Sequence, residues 1–405
     1  MNVRRSAATL AAAGVLAAAS PALAASPSPS PSTVLPSGLY GDTDPTYDGV
    51  WRQSLALLAQ RTVSVTPAAK AVDWLTGQQC ANGAFAAFRA EPARACDAKV
   101  MVDSNSTAAA VQALSALGGH EDATGKAVTW LKSVQNEDGG WGYAPGGASD
   151  ANSTAVVIGA LTAAGERPAE VTKGGRSPYD ALLKLALPCT GEGAGAFAYQ
   201  PDKKGALTAN ADATAAAVVG ALGAGLDATG GKDKKAGTGC AEPDPLTPEQ
   251  AAANGAGYLA KAVAADGHLT SALAGAPEQP DYGNTADAVV ALAAQGGADR
   301  AAKPLAWLEQ NAAAWAKQSG PAAYAQLVFA AHATRADPRD FGGTDLVRAL
   351  NATGPAPQPA KAAENTSDKK DDGGSGAGVW WMVGAGLAAG AGIGFLLSGR
   401  RKQQL

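Results

Sequence analysis

The chain has 405 residues, of which 46% are apolar, only 5% aromatic and 17% charged, with 50 glycines. Its apolar content therefore comes mainly from small side chains, which favour close helix packing over bulky cores. Thirty-two basic against 36 acidic side chains leave a net charge of -4, which offers no footprint for nucleic acid, and three His with four Cys exclude multi-cysteine zinc modules.

The N-terminus carries Arg4 and Arg5, then an apolar run from Ala7 to Ala19, then the small-x-small pattern Ala22, Leu23, Ala24. This layout reads as a secretory signal peptide over residues 1–25. Alternating Ser and Pro make residues 26–39 a solvated spacer.

Residues 40–351 repeat themselves, which is the mark of a modular helical architecture. One block places an aromatic or Leu before Leu in a helical stretch: Trp74-Leu75, Trp130-Leu131, Leu182-Leu183, Tyr258-Leu259 and Trp307-Leu308. A second block opens Ala-rich runs with a polar start at Asp103/Asn105/Thr107, Asp150/Asn152/Thr154, Asn210/Asp212/Thr214 and Asp281/Asn284/Thr285. Polar N-caps followed by a helix and a closing Gly (Gly118, Gly165, Gly225, Gly296) give each run a start and a stop. Between the blocks lie turns containing Gly83/Phe85, Gly139/Trp141, Gly195/Phe197 and Gly267/Leu269.

In chain order, helices are expected near 51–60, 67–79, 105–118, 123–135, 152–164, 178–187, 210–224, 247–264, 284–296, 301–316, 321–335 and 343–351. Paired, they predict an all-α toroid, a barrel of six helix pairs. The small-residue helices form the inner ring, because short side chains let helices crowd around an axis. The insertion from Asp227 to Pro248 reads as a long solvated loop. In a secreted chain the four cysteines form disulfides, and their spacing favours Cys80 with Cys96 and Cys189 with Cys240.

Residues 352–378 are rich in Pro, Lys, Asp and Gly and read as a disordered stalk. Residues 379–397 are uncharged, begin beside Trp380 and Trp381, and are followed by Arg400, Arg401 and Lys402. The expectation is one C-terminal transmembrane helix and a basic cytoplasmic tail over 398–405, giving a single-pass protein of the cell membrane with its bulk outside.

The run from Gln135 to Tyr143, containing Asp138, Gly139, Gly140 and Trp141, resembles the Gln-Trp repeat of the terpenoid cyclase and protein prenyltransferase superfamily. That resemblance implies an α/α toroid. In character the chain is similar to the toroidal domain of the cobalamin carriers, transcobalamin and intrinsic factor. The Asp-x-Asp-Asp acid of squalene and hopene cyclases is missing, and the inner helices near 105, 152, 210 and 284 hold no aromatic ring. His120, His268 and His332 are scattered, so neither a prenyltransferase zinc site nor any other metal site is expected.

Parallel inner helices would bring their N-termini to one mouth. The candidate ligand-binding residues there are Asp103, Asn105, Asp150, Asn152, Asn210, Asp212, Asp281 and Asn284, with Trp141, Tyr143, Tyr199 and Tyr282 from the adjoining turns. Helix capping is the competing explanation for the acids and amides. The expected function is non-catalytic binding of a small polar ligand, cobalamin-like for instance, with no resident cofactor. A separate β-domain or transporter protein is the alternative occupant of the mouth. The competing classes are a terpenoid-cyclase-like or polysaccharide-cleaving enzyme, with no catalytic residue assigned, and an adhesive surface protein.

Overall fold

The computed structural model describes residues 35–97, 99–232, 240–271 and 278–359. Six helices line an axis: α1 (Gly49–Thr62), α3 (Ser104–Leu117), α5 (Ala151–Ala163), α7 (Ala211–Ala221), α9 (Tyr282–Gly296) and α11 (Pro321–Thr334). Each packs on the next and α11 returns to α1, so the ring closes. Outside it lie α2 (Ala69–Gly77), α4 (Glu121–Ser133), α6 (Pro178–Leu183), α8 (Pro248–Ala262), α10 (Ala298–Ser319) and α12 (Leu346–Asn351), each against its preceding inner helix. This is the α/α toroid of six helix pairs.

Small side chains make the ring possible. A Cβ at Gly220 of α7 would lie 2.8 Å from the Ala155 side chain of α5, so the two helices meet nearly backbone to backbone. The outer helices carry the bulk, with Trp74 and Trp130 turned inward onto the ring. β1 (Leu269–Thr270) and β2 (Pro280–Asp281), an antiparallel pair absent from the sequence reading, precede α9.

The repeat acquires a physical meaning here. In each of four modules a fully buried Thr from the first turn of an inner helix accepts a hydrogen bond from the backbone N–H of the turn residue before it. Thr107 accepts from Phe85, Thr154 from Trp141, Thr214 from Phe197 and Thr285 from Leu269, at 2.9 to 3.1 Å. The turns also need glycine. Gly139 has φ +91°, and a Cβ there would sit 2.2 Å from the carbonyl oxygen of Ser177.

Two segments depart from expectation. The first part of the supposed stalk packs on the toroid: the N–H of Gly41 donates to the Thr353 carbonyl, the Tyr40 hydroxyl donates to the Pro355 carbonyl, and the N–H of Gln358 donates to the Thr66 carbonyl. Tyr40, fully buried, joins the lead segment to the chain after α12. The helix expected over 210–224 ends at Ala221, and the chain after it, including the start of the loop expected from Asp227, is likewise packed. Residues 224–231 cross the C-terminal ends of the inner helices, where Leu226 N–H donates to Gln112 Oε1 at 2.8 Å and Gly231 N–H donates to the Ala293 carbonyl at 2.9 Å. This segment forms a floor.

The disulfides Cys80–Cys96 and Cys189–Cys240 are present, with Cα separations of 5.6 and 5.4 Å. The location at a membrane is corrected: among the described residues no helix is long and apolar enough to cross one. The expected signal peptide, the transmembrane segment at 379–397, the tail and the rest of the stalk lie outside the described residues.

Candidate functional site

The axis of the ring holds a cavity of about 210 Å³ to which all six inner helices contribute. Its polar wall consists of Asn105 of α3, Asn152 of α5, Asp212 of α7, Asp287 of α9 and Gln326 of α11. Trp51 and Leu55 of α1, Phe329 of α11 and several Ala and Val side chains supply the apolar wall, and Ala224 to Leu226 close the floor. The polar residues all fall in the first two turns of their helices, so the N-termini do gather at one end.

The polar side chains form two pairs. Asn152 Nδ2 donates to Asp212 Oδ2 at 2.8 Å, and Gln326 Nε2 donates to both carboxylate oxygens of Asp287 at 3.2 and 3.1 Å. Asn105 Oδ1 and Asn152 Oδ1 are buried without a hydrogen-bond partner. Among the described residues no Lys, Arg or His lines the cavity.

This arrangement sets the protonation of the acids. Burial raises Asp287 from an ordinary 3.8 to about 7, and the negative charges of Asp212 and Asp281 push the same way against the Gln326 hydrogen bond. Asp287 is half-buried and keeps some surface toward the cavity. Asp212 is also raised, by burial first and then by Asp281 and Asp150, while its bond from Asn152 opposes the shift.

The other expected ligand residues are placed differently. Asp103, Asp150, Asn210 and Asp281 are N-caps, accepting from the backbone N–H of Ser106, Ser153, Ala213 and Asn284. Asn284 turns its Nδ2 back to Asp281 Oδ2 at 2.7 Å. Trp141 is fully buried, with its indole N–H donating to the Leu131 carbonyl at 2.8 Å, so it is a packing residue. Tyr282 stacks between Trp307 and Trp315, at centroid distances of 5.0 and 5.6 Å.

Tyr143 and Tyr199 stay partly exposed at the rim, where their carbonyls accept from the N–H groups of Ser104 and Ala151. Burial, and then the Asp150 carboxylate beside it, raise the Tyr199 phenol. A wider groove of about 580 Å³ lies outside the ring between Tyr47, Met101 and Tyr143. Its carboxylates Glu91, Asp97 and Asp103 share the wall with Arg89, Arg94 and Lys99, and it lacks the unpaired amide oxygens of the axis, which is therefore the stronger site.

Sequence reasoning missed Asp287, Gln326, Trp51 and Phe329. The available signal was Asp287 itself, the one acid within α9, between Ala286 and Ala288. Among the described residues no group of three or more His, Cys, Asp or Glu is placed to hold a metal ion.

No protein-family model matches the chain. Over 80 residues, 20% of this chain and 13% of the relative, it is 38% identical to drimenyl diphosphate synthase of Streptantibioticus cattleyicolor. Two solved structures are similar at low sequence identity. One is ent-copalyl diphosphate synthase from Streptomyces platensis, at 16% identity and a TM-score of 0.46, over 71% of this chain and 50% of that one. The other is a sugar epimerase from a ruminal bacterium, at 14% identity and a TM-score of 0.44, over 68% and 80%. This chain thus spans a small part of the curated relative and about half of the copalyl diphosphate synthase.

Proposed function

We propose that the protein is a binding protein that holds a small polar ligand in the central cavity of its toroid. The observation that carries this reading is the buried pair of unpartnered amide oxygens, Asn105 Oδ1 and Asn152 Oδ1, beside a cavity that also holds two carboxylates. A buried acceptor without a donor costs about 1–3 kcal/mol, which a ligand donor reached by a small side-chain rotation would relieve. At about 210 Å³ the cavity is smaller than the roughly 300–1,000 Å³ of drug-sized sites. A corrin macrocycle does not fit inside it, and neither does a polysaccharide chain. A larger partner would rest on the rim, where Tyr47, Met101, Tyr143 and Tyr199 are the large hydrophobics left exposed among the described residues.

A second reading is favoured by Asp287. A carboxyl held at about pH 7 is poised to donate a proton at neutrality, as acid-initiated cyclisation of an isoprenoid would require. Against it stand the size of the cavity and its aromatic wall, which is limited to Trp51 and Phe329. A carbocation guided through several ring closures needs more π faces than these.

One experiment separates the readings. The protein is screened by thermal shift against polar compounds of up to about a dozen heavy atoms, and incubated with prenyl diphosphates under product analysis. Stabilisation by small compounds with no cyclised product supports binding. Turnover that disappears in Asp287→Asn would replace it with the enzyme.

A further inference from the structure

The cavity is acidic and uncompensated. Asp212 and Asp287 face it, Asp281 and Asp150 add negative potential from the caps of α9 and α5, and among the described residues no basic side chain lines it. Asn152 Nδ2 is engaged on Asp212 and the Gln326 amide on Asp287, which leaves the Asn105 amide as a free side-chain donor on the wall. Apart from that amide, the polar wall offers a ligand acceptors.

The helix N-termini act in the opposite sense, each carrying roughly half a positive charge. That field fades within the first turn and is met at the rim by the carboxylates of Asp103, Asp150 and Asp281. Asp287 lies in the second turn of α9, below its reach, whereas Asp212 lies in the first turn of α7 and offsets part of that field with its own carboxylate. The net preference at cavity depth is for positive charge.

The walls decide what kind of cation. A bare divalent ion such as calcium needs about six to eight oxygen ligands, whereas two carboxylates on separate helices leave much of such a shell unfilled. Trp51, Phe329 and Leu55 instead offer an apolar surface, and an aromatic face attracts a desolvated cation by ~0.5–2 kcal/mol.

From this we propose that the cavity takes a small alkylammonium ion, its charged group between Asp212 and Asp287 and its hydrocarbon part against Trp51 and Phe329. The assignment rests on reading the cavity as a binding site. Anions are repelled by the two acids. Neutral amides or alcohols satisfy the acceptors but leave the charge in place.

The test is calorimetric titration of the whole protein at pH 8 with n-butylammonium, butyramide, butyrate and calcium chloride. n-Butylammonium is expected to bind at least tenfold more tightly than butyramide, and butyrate and calcium not to bind. Asp212→Asn and Asp287→Asn should each weaken the ammonium at least tenfold while keeping a cooperative thermal transition. Phe329→Leu, which keeps the wall apolar, should weaken it several-fold. At pH 6.5, titrations in buffers of different ionisation enthalpy should reveal proton release, because a bound cation drives Asp287 to ionise. Equal or tighter binding of butyramide, butyrate or calcium would overturn the cation assignment while leaving a binding cavity. Absence of binding by all four probes, or binding unchanged when Ala216→Phe fills the cavity, would remove both readings.

Discussion

Asn152 donates through Nδ2 to Oδ2 of Asp212 at 2.8 Å, tying α5 to α7 at the wall of the central cavity. Both residues occupy the second position of their helices, two residues after the caps Asp150 and Asn210. The neighbouring positions do different work. Replacing a cap, as in Asp103→Ala or Asp150→Ala, removes the acceptor of a first-turn N–H and should cost about 0.5–2 kcal/mol in urea denaturation. Asp212→Ala loses one hydrogen bond but also relieves a buried charge, so its net cost should stay within about 1 kcal/mol. An Asp212→Ala penalty larger than that of the cap variants would assign Asp212 to the scaffold.

Asp287 makes stability depend on pH. The folded protein keeps its proton up to about pH 7, whereas the unfolded chain gives it up near 3.8. Between those values the native state binds more protons, so this group's contribution falls as pH rises and levels off above about 7. Asp287→Asn should therefore raise the melting temperature at pH 8, leave it nearly unchanged at pH 4, and flatten the profile between. Thermal melts across that range check the sign. A variant less stable than the parent at pH 8 would contradict it.

The Thr clasps can be tested one at a time. Thr214→Val leaves the N–H of Phe197 buried and unpaired and should cost about 1–3 kcal/mol, whereas Thr214→Ser keeps the oxygen and should cost less. Chemical denaturation of both variants gives the difference. A larger cost for Thr214→Ser than for Thr214→Val would mean that the methyl group, not the hydrogen bond, supplies the stability.

The floor depends on a close approach between Gly159 of α5 and the segment after α7. A Cβ at residue 159 would lie 2.7 Å from the Cα of Gly225 and 3.0 Å from Gln112 Nε2. Gly159→Ala should push that segment away, break the Leu226 to Gln112 bond and deepen the cavity. Faster hydrogen exchange at Leu226, with little change on α9, is the expected signature. Unchanged exchange there would show that the floor is held from elsewhere.

Much of the fold is legible in residue types because the repeat is written in short-range chemistry. Asp, Asn and Thr at fixed offsets mark caps and clasps, Gly marks turns, and runs of Ala and Val mark helices that must crowd an axis. The two disulfides follow from the turns that their cysteines flank. The site was only half legible for a geometric reason. Asn105, Asn152 and Asp212 sit beside cap signals, but Asp287 and Gln326 reach the axis through the rotation of α9 and α11 about their own axes, which no local motif records. Trp141 misled in the opposite way: an aromatic after a glycine turn looks the same in sequence whether it faces a ligand or packs behind Leu131. The floor was hidden because Leu222 to Ala224 continue the apolar pattern of α7 and Gly225 reads as its stop, although the helix ends at Ala221.

The central claim is that a ligand occupies the axis of the toroid rather than its rim. The most direct test titrates the strongest hit of the small-compound screen into the parent protein and into Ala216→Phe, which fills the cavity from α7 without touching a cap or clasp. The account predicts at least a tenfold loss of affinity in the variant with the thermal transition retained. Unchanged affinity would contradict it and place the ligand elsewhere.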